Sequence, residues 1–122
     1  MRKIKIGSDN FTEIFAKDKP GQGNACHEYI VKVKDNDPVN KLLMPCVKVS
    51  FQNGPIKESG INGCHNEDLI SIVLDRLHGF QSGDFFCREN DIAITKLEES
   101  LHWLNHRTQK RIERGVEGKH II

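Results

Sequence analysis

Along the first half of the chain, apolar and polar positions alternate with period two. Tyr29, Val31 and Val33 interleave with Ile30, Lys32 and Lys34, and Val47, Val49 and Phe51 interleave with Lys48, Ser50 and Gln52. Such a period turns successive side chains to opposite faces and predicts two strands, each with one apolar and one largely polar face. Residues 3–6 and 56–57 read as weaker strands, and residues 10–17 as a short helix or an irregular segment. Turn-forming clusters separate these elements, around Pro20-Gly21, Asp35-Asn36-Asp37-Pro38 and Asn53-Gly54-Pro55. Together they predict a small antiparallel sheet of three to five strands.

After residue 65 the period changes to that of a helix. Asn66 reads as an N-cap, with Glu67 and Asp68 placed to complement the helix dipole. Leu69, Ile70, Ile72, Val73, Leu77 and Phe80 form a wide apolar face; Gly79 weakens the last turns and Gly83 ends them. A second helix starts near Asn90 and runs to about Arg114, where Gly115 and Gly118 stop it. At 100° per residue, Ile94, Leu97, Leu101, Leu104, Thr108 and Ile112 share one stripe, a seam against which the first helix packs as an αα-hairpin. This second helix, roughly 35 Å long at 1.5 Å per residue, exceeds what a domain of this size needs, and part of it is expected to pack on another copy. The expectation is an α+β fold: a small N-terminal antiparallel β-sheet followed by a C-terminal two-helix hairpin, oligomeric. Residues 1–122 read as a single domain, with a β-rich part over 1–61 and the hairpin over 62–122.

Composition adds little until charge is divided along the chain. The 122 residues carry a formal net charge of +1. Residues 1–66 carry +3, residues 67–99 carry −5 and residues 100–122 carry +3. Nine of the twelve lysines precede residue 67, whereas five of the six arginines follow it. Guanidinium forks match phosphate and carboxylate oxygens bidentately, so this segregation points to a local anion. Near-neutral overall charge counts against a nucleic-acid polymer, which needs an extended basic surface. No apolar run approaches the roughly 20 residues that span a bilayer, and the first residues lack the apolar core of a signal peptide. The four cysteines, Cys26, Cys46, Cys64 and Cys87, lack zinc-knuckle spacing and read as free, mostly buried thiols. Cys26-His27 and Cys64-His65 resemble halves of a metal site, but neighbours on an extended chain point apart.

Candidate chemistry concentrates in the helical half. On the second helix Trp103, Arg107, Arg111 and Arg114 fall in one row about 100° from the leucine seam. That row is either a solvated or salt-bridged face, favoured in any case near a helix C-terminus, or an anion site. The connection between the helices holds Phe80, Phe85 and Phe86 in polar surroundings. These rings either plug the end of the core or offer a surface on which a nucleobase stacks. Asn90 either caps the second helix or presents its amide to a base edge or ribose. Aromatic ring, amide and arginine pair together would make a complete nucleotide-binding set. For catalysis the sequence offers little: His102 and His106 are four apart, but no Glu follows His102, and no phosphate-binding loop or nucleophile elbow occurs.

The motifs Asn66-Glu67-Asp68-Leu69, Asp75-Arg76-Leu77, Gly79-Phe80-Gln81, Cys87-Arg88-Glu89-Asn90, Ala93-Ile94-Thr95, Trp103-Leu104, Arg107-Thr108, Arg111 and Arg114-Gly115-Val116-Glu117-Gly118 resemble the hairpin domain of phage anti-defence sponge proteins, which counter the bacterial Thoeris and CBASS systems. A strand-rich half ahead of the hairpin is similar to the Thoeris anti-defence type. The resemblance implies a non-enzymatic protein that needs no cofactor and no metal. It would act in the host-cell cytoplasm, self-associate as dimers joined into a hexamer, and hold glyco-cyclic ADP-ribose without cleaving it. Some members also take cyclic di- or trinucleotides. The family's ligand contacts, carried over by motif, fall on Phe80, Asn90, Arg107 and Arg111; Arg88 and Arg114 match the pattern without an assigned role. Phe80 would stack on a base, Asn90 would read polar edges, and the two arginines would neutralise the pyrophosphate. A hydrolase that destroys the messenger and a nucleic-acid binder using Arg107, Arg111 and Arg114 are the competing readings.

Overall fold

Strand pairing in the N-terminal part is set by β3 (Glu28–Val33), the strand with the clearest alternation. In this computed structural model, which describes residues 1–7, 11–34 and 46–115, β3 lies between β2 (Thr12–Ala16) and β4 (Val47–Ser50). With β1 (Arg2–Lys3) at the edge, the four strands form an antiparallel sheet in the order β1-β2-β3-β4. The register sets Ile14 opposite Val31, Phe15 opposite Ile30, and Tyr29 opposite Val49. The turn around residues 35–38, the start of the 10–17 segment and the motif residues after Gly115 lie outside the described residues.

The strands expected at 29–34 and 47–52 are present as β3 and a shorter β4 that ends at Ser50, and three neighbouring expectations are corrected. Residues 12–16 form β2, neither a helix nor an irregular segment, because all five pair with β3 and Thr12, Ile14 and Phe15 suit a pleated surface. The first strand is Arg2–Lys3 and does not extend over 3–6; beyond it only the Ile4 N–H, donating to the Ile14 carbonyl at 2.8 Å, prolongs the ladder, and Ile6 is exposed. Ile56 and Lys57 open a helical turn, α1 (Ile56–Ser59). Pro55, with its fixed φ, starts that turn, and its carbonyl accepts the Glu58 N–H at 3.0 Å. The apolar face of β3 is only half-buried, whereas Ile30 on the opposite face is buried. Phe15 lies across from Ile30, and the Lys32 ammonium sits 5.8 Å from the centre of the Phe15 ring, so the nominally polar face carries an apolar centre covered by an aliphatic stem.

The connection from β2 to β3 is pinned electrostatically. The Asp18 carboxylate accepts the His27 N–H at 2.9 Å and the Glu28 N–H at 3.1 Å. Hydrogen bonding from the His27 backbone, and then from Glu28, holds the Asp18 carboxyl below its ordinary value. A depressed carboxylate favours the fold at pH values above its unfolded pKa, and that contribution disappears as pH falls through the lower folded value. Carbon-detected NMR titration of the Asp18 carboxyl is therefore expected to give a midpoint below the usual aspartate value. Asp18→Asn should remove this component of the acid sensitivity measured by denaturant unfolding.

The chain divides into two compact units, Met1–Gly54 with Ser59–Gly63, and Pro55–Glu58 with Cys64–Ile122. The second is built on α2 (Asn66–Gln81) and α3 (Arg88–Glu113). His65, and not Asn66, is the N-cap of α2: the Asp68 carboxylate reaches back to accept the His65 N–H at 2.9 Å. The helix closes at Gln81 with Ser82 as C-cap, two residues before Gly83. The α3 helix begins at Arg88, capped by Cys87, two residues before Asn90. Between them the Gln81 amide accepts the Cys87 N–H and donates to the Cys87 carbonyl, both at 2.9 Å, so one side chain acts as a strand partner and ties the connection shut.

The hairpin core centres on Leu74 and Ile94. Leu74 was absent from the face expected for α2, whereas Ile72 and Val73, which that face included, are exposed. The seam follows Ile70, Leu74 and Leu77 at four- and three-residue steps, which turns Ile72 and Val73 away. On α3, Leu97, Leu101, Leu104 and Thr108 are half-buried as expected, but Ile112 is 52% exposed. The reason is length. With 26 residues against 16, α3 runs about 15 Å past the beginning of α2. Cys26 is buried, Cys64 and Cys87 are half-buried, and Cys46 is exposed; all four are free.

Candidate functional site

The overhanging end of α3 carries the cations. Trp103, His106, Arg107, Lys110, Arg111 and Arg114 line an open groove of about 330 Å³ along one side of the helix. Steps of four, seven and eight residues from Trp103 bring Arg107, Lys110 and Arg111 onto neighbouring turns, so the groove has an aromatic end and a cationic end. Among the described residues, no acidic side chain lines it. Its position at a helix C-terminus offsets part of the mutual repulsion of the bases through the helix dipole. Lys110 was not among the residues singled out from the sequence, and His106 entered there only beside His102 in the search for catalytic groups. Lys110 shares the angular sector of Trp103, seven residues earlier, and was legible on the same helical wheel.

Phe80 and Asn90 belong to the other end of the hairpin. Phe80 is half-buried near the end of α2, with the Arg76 guanidinium 5.2 Å from its ring centre and the Phe85 ring edge-on at 6.4 Å. Phe85 and Phe86 are exposed, so these two rings do not plug the core. Because the cap of α3 falls on Cys87, Asn90 sits within the first turn, half-buried, and is not the cap. Arg88 is exposed at the first helical position, and Arg114 is the C-cap of the same helix.

Separation along α3 governs what these residues can do together. Seventeen residues divide Asn90 from Arg107, about 26 Å at 1.5 Å per residue, and Arg111 lies another turn away. Phe80, beside the interhelical connection, is on the Asn90 side. One chain therefore brings Arg107 and Arg111 into one groove and keeps Phe80 and Asn90 at the opposite end. The four residues thus fall into two groups at opposite ends of the hairpin. A ligand of mononucleotide or dinucleotide size cannot touch all four residues of a single hairpin.

Among the described residues, no group of three or more His, Cys, Asp or Glu is arranged to hold a metal ion. No described helix is long and apolar enough to cross a membrane.

Comparison with known proteins agrees with this architecture. The family model described as the Acb2/Tad1 hairpin domain matches residues 45–109, which include α2, the interhelical connection and α3 as far as the groove. The chain is 44% identical to "Thoeris anti-defense 1" of Bacillus phage SBSphiJ7 over an alignment of 144 residues, which covers 98% of this chain and 99% of that protein.

Proposed function

Because this chain belongs to the Thoeris anti-defense 1 family and carries an Acb2/Tad1 hairpin domain, we propose that it is a phage sponge for a cyclic nucleotide signal. The ligand is glyco-cyclic ADP-ribose, held in the cytoplasm of the infected cell and not cleaved. Capture lowers the free signal and leaves the Thoeris effector inactive. The observation that carries this reading is the pair of complementary half-sites on one hairpin. An aromatic ring with an amide occupies one end, and an open groove with an arginine pair occupies the other.

Two copies with antiparallel α3 helices complete the pocket. Phe80 and Asn90 of one protomer then lie beside Arg107 and Arg111 of its partner, and the two-fold axis passes near Glu99. Charge supports this pairing: residues 88–100 carry a net −2 and residues 101–114 a net +3, so an antiparallel arrangement sets opposite signs against each other. A two-fold of this kind produces two equal pockets per dimer, the unit from which larger assemblies would be built. Within each pocket Phe80 stacks on the base and Asn90 hydrogen-bonds its polar edge. The guanidinium forks of Arg107 and Arg111 neutralise the pyrophosphate through charge-assisted bonds. Enclosure between two protomers excludes water, which strengthens those bonds and slows release.

Depletion followed by heat release tests the reading. Protein in excess is incubated with glyco-cyclic ADP-ribose, the free ligand is measured, and the protein is then denatured by heat. The expected result is loss of free ligand and recovery of the intact molecule after heating. A cleaved product would establish a hydrolase instead. No depletion at all would leave a nucleic acid or protein partner to be sought. The same assay with cyclic di- and trinucleotides determines whether the range extends to them.

A further inference from the structure

We infer that Trp103 is the specificity-determining residue of the cationic groove, a platform for the face of the base that Phe80 leaves open while the neighbouring cations hold phosphate. The inference rests on the proposed capture of a nucleotide signal and extends it to a residue outside the four assigned by motif. Trp103 is 65% exposed on α3 and lies about 100° around the helix from the leucine seam, so packing within the hairpin does not require it. Its ring shares one groove with Arg107, Lys110, Arg111 and Arg114, which gives a flat apolar face beside four cations. The indole is also held in place. His102 stands nearly perpendicular to it at 5.2 Å and His106 at 5.6 Å, and the two imidazoles stack on each other at 6.2 Å. A ring braced on two sides loses little rotamer entropy when a ligand arrives.

The spacing along the helix also matches a nucleotide. Arg107 lies one turn beyond Trp103, about 6 Å along the axis, and Lys110 and Arg111 follow on the next turn. A base and its phosphates are separated on this scale by a ribose. The groove therefore presents a plane and then a row of cations in the order in which a nucleotide presents a ring and then its charges. Phosphate alone would satisfy the cations and leave the indole unused. The aromatic end gives the groove a reason to prefer nucleotide over free pyrophosphate.

Trp103 is the chain's one tryptophan, so intrinsic fluorescence reports this residue alone. The experiment titrates wild type, Trp103→Ala and Trp103→Phe with glyco-cyclic ADP-ribose and, separately, with inorganic pyrophosphate. Calorimetry gives affinities, and light scattering gives the oligomeric state. The nucleotide is expected to quench the wild-type fluorescence. Trp103→Ala should weaken nucleotide binding by about fivefold to 150-fold, the range of one base-stacking contact. Trp103→Phe should restore most of it, and pyrophosphate affinity should stay within about twofold across all three, because the charge-assisted bonds are unchanged. Full nucleotide affinity in Trp103→Ala would overturn the inference while leaving the sponge reading standing. Equal losses for nucleotide and pyrophosphate, or a change of oligomeric state, would assign Trp103 to packing and overturn it as well. Failure of the wild type to bind the nucleotide would remove the sponge reading itself.

Discussion

Replacing Arg107 and Arg111 together with alanine is expected to abolish capture of the messenger while the hairpin remains folded. A hydrogen bond to a charged group contributes about 1.5–3 kcal/mol, so losing two such anchors costs about 3–6 kcal/mol. That corresponds to roughly a hundredfold to ten-thousandfold in dissociation constant. The fold tolerates the change because both residues belong to the part of α3 that extends past α2, away from the Leu74–Ile94 core. Losing two cations near a helix C-terminus costs about 0.3–1 kcal/mol each, and relief of like-charge repulsion four residues apart returns part of it. Calorimetric titration with glyco-cyclic ADP-ribose, beside thermal melting by circular dichroism, checks both halves of the prediction. Lysine at both positions keeps the charge but removes the planar fork, and should recover only part of the affinity. If the double alanine variant unfolds and the wild type shows no ligand-dependent thermal shift, the arginine row is a structural face and nothing more.

Legibility in the sequence followed the strength of periodicity. The helices were readable because their apolar residues recur over four or more turns, so one misplaced position does not disturb the pattern. Where that pattern blurred, the details slipped. The run Leu69-Ile70-Ser71-Ile72-Val73-Leu74 contains too many apolar residues to choose a face by hydropathy. Contact with α3 selected Ile70, Leu74 and Leu77 and left Ile72 and Val73 exposed. In the N-terminal part, β2 lacks clean alternation and owes its strand state to pairing with β3, a long-range cause that local pattern does not contain. Ile56 and Lys57 looked strand-like in isolation, yet Pro55 starts a turn there.

The candidate site divided the same way. Residue types and the helical wheel exposed the row of Trp103, Arg107, Arg111 and Arg114, because i and i+4 neighbours are fixed by helix geometry alone. Sequence reasoning grouped that row with Phe80 and Asn90 as one set without weighing the 26-residue helix that holds Asn90 and the arginines far apart. Gln81 appeared only within a motif, with no structural role. Its double hydrogen bond to Cys87 is a side chain copying a backbone partner, which leaves no trace in periodicity or charge.

Given that separation, the proposed pocket is completed only when a second copy brings its own half-site. Complementation between two inactive variants tests it most directly. Phe80→Leu/Asn90→Ala removes one half-site and keeps the half-buried bulk of Phe80; Arg107→Ala/Arg111→Ala removes the other. Each variant alone should fail to deplete glyco-cyclic ADP-ribose. When the two are co-expressed in equal amounts, half of the dimers are mixed. By two-fold symmetry each mixed dimer holds one intact pocket and one doubly broken pocket, so about a quarter of the wild-type capacity should return, at wild-type affinity. Recovery at that level is the result predicted here. Two dead variants that stay dead together, although co-purification shows that they assemble, would contradict the claim.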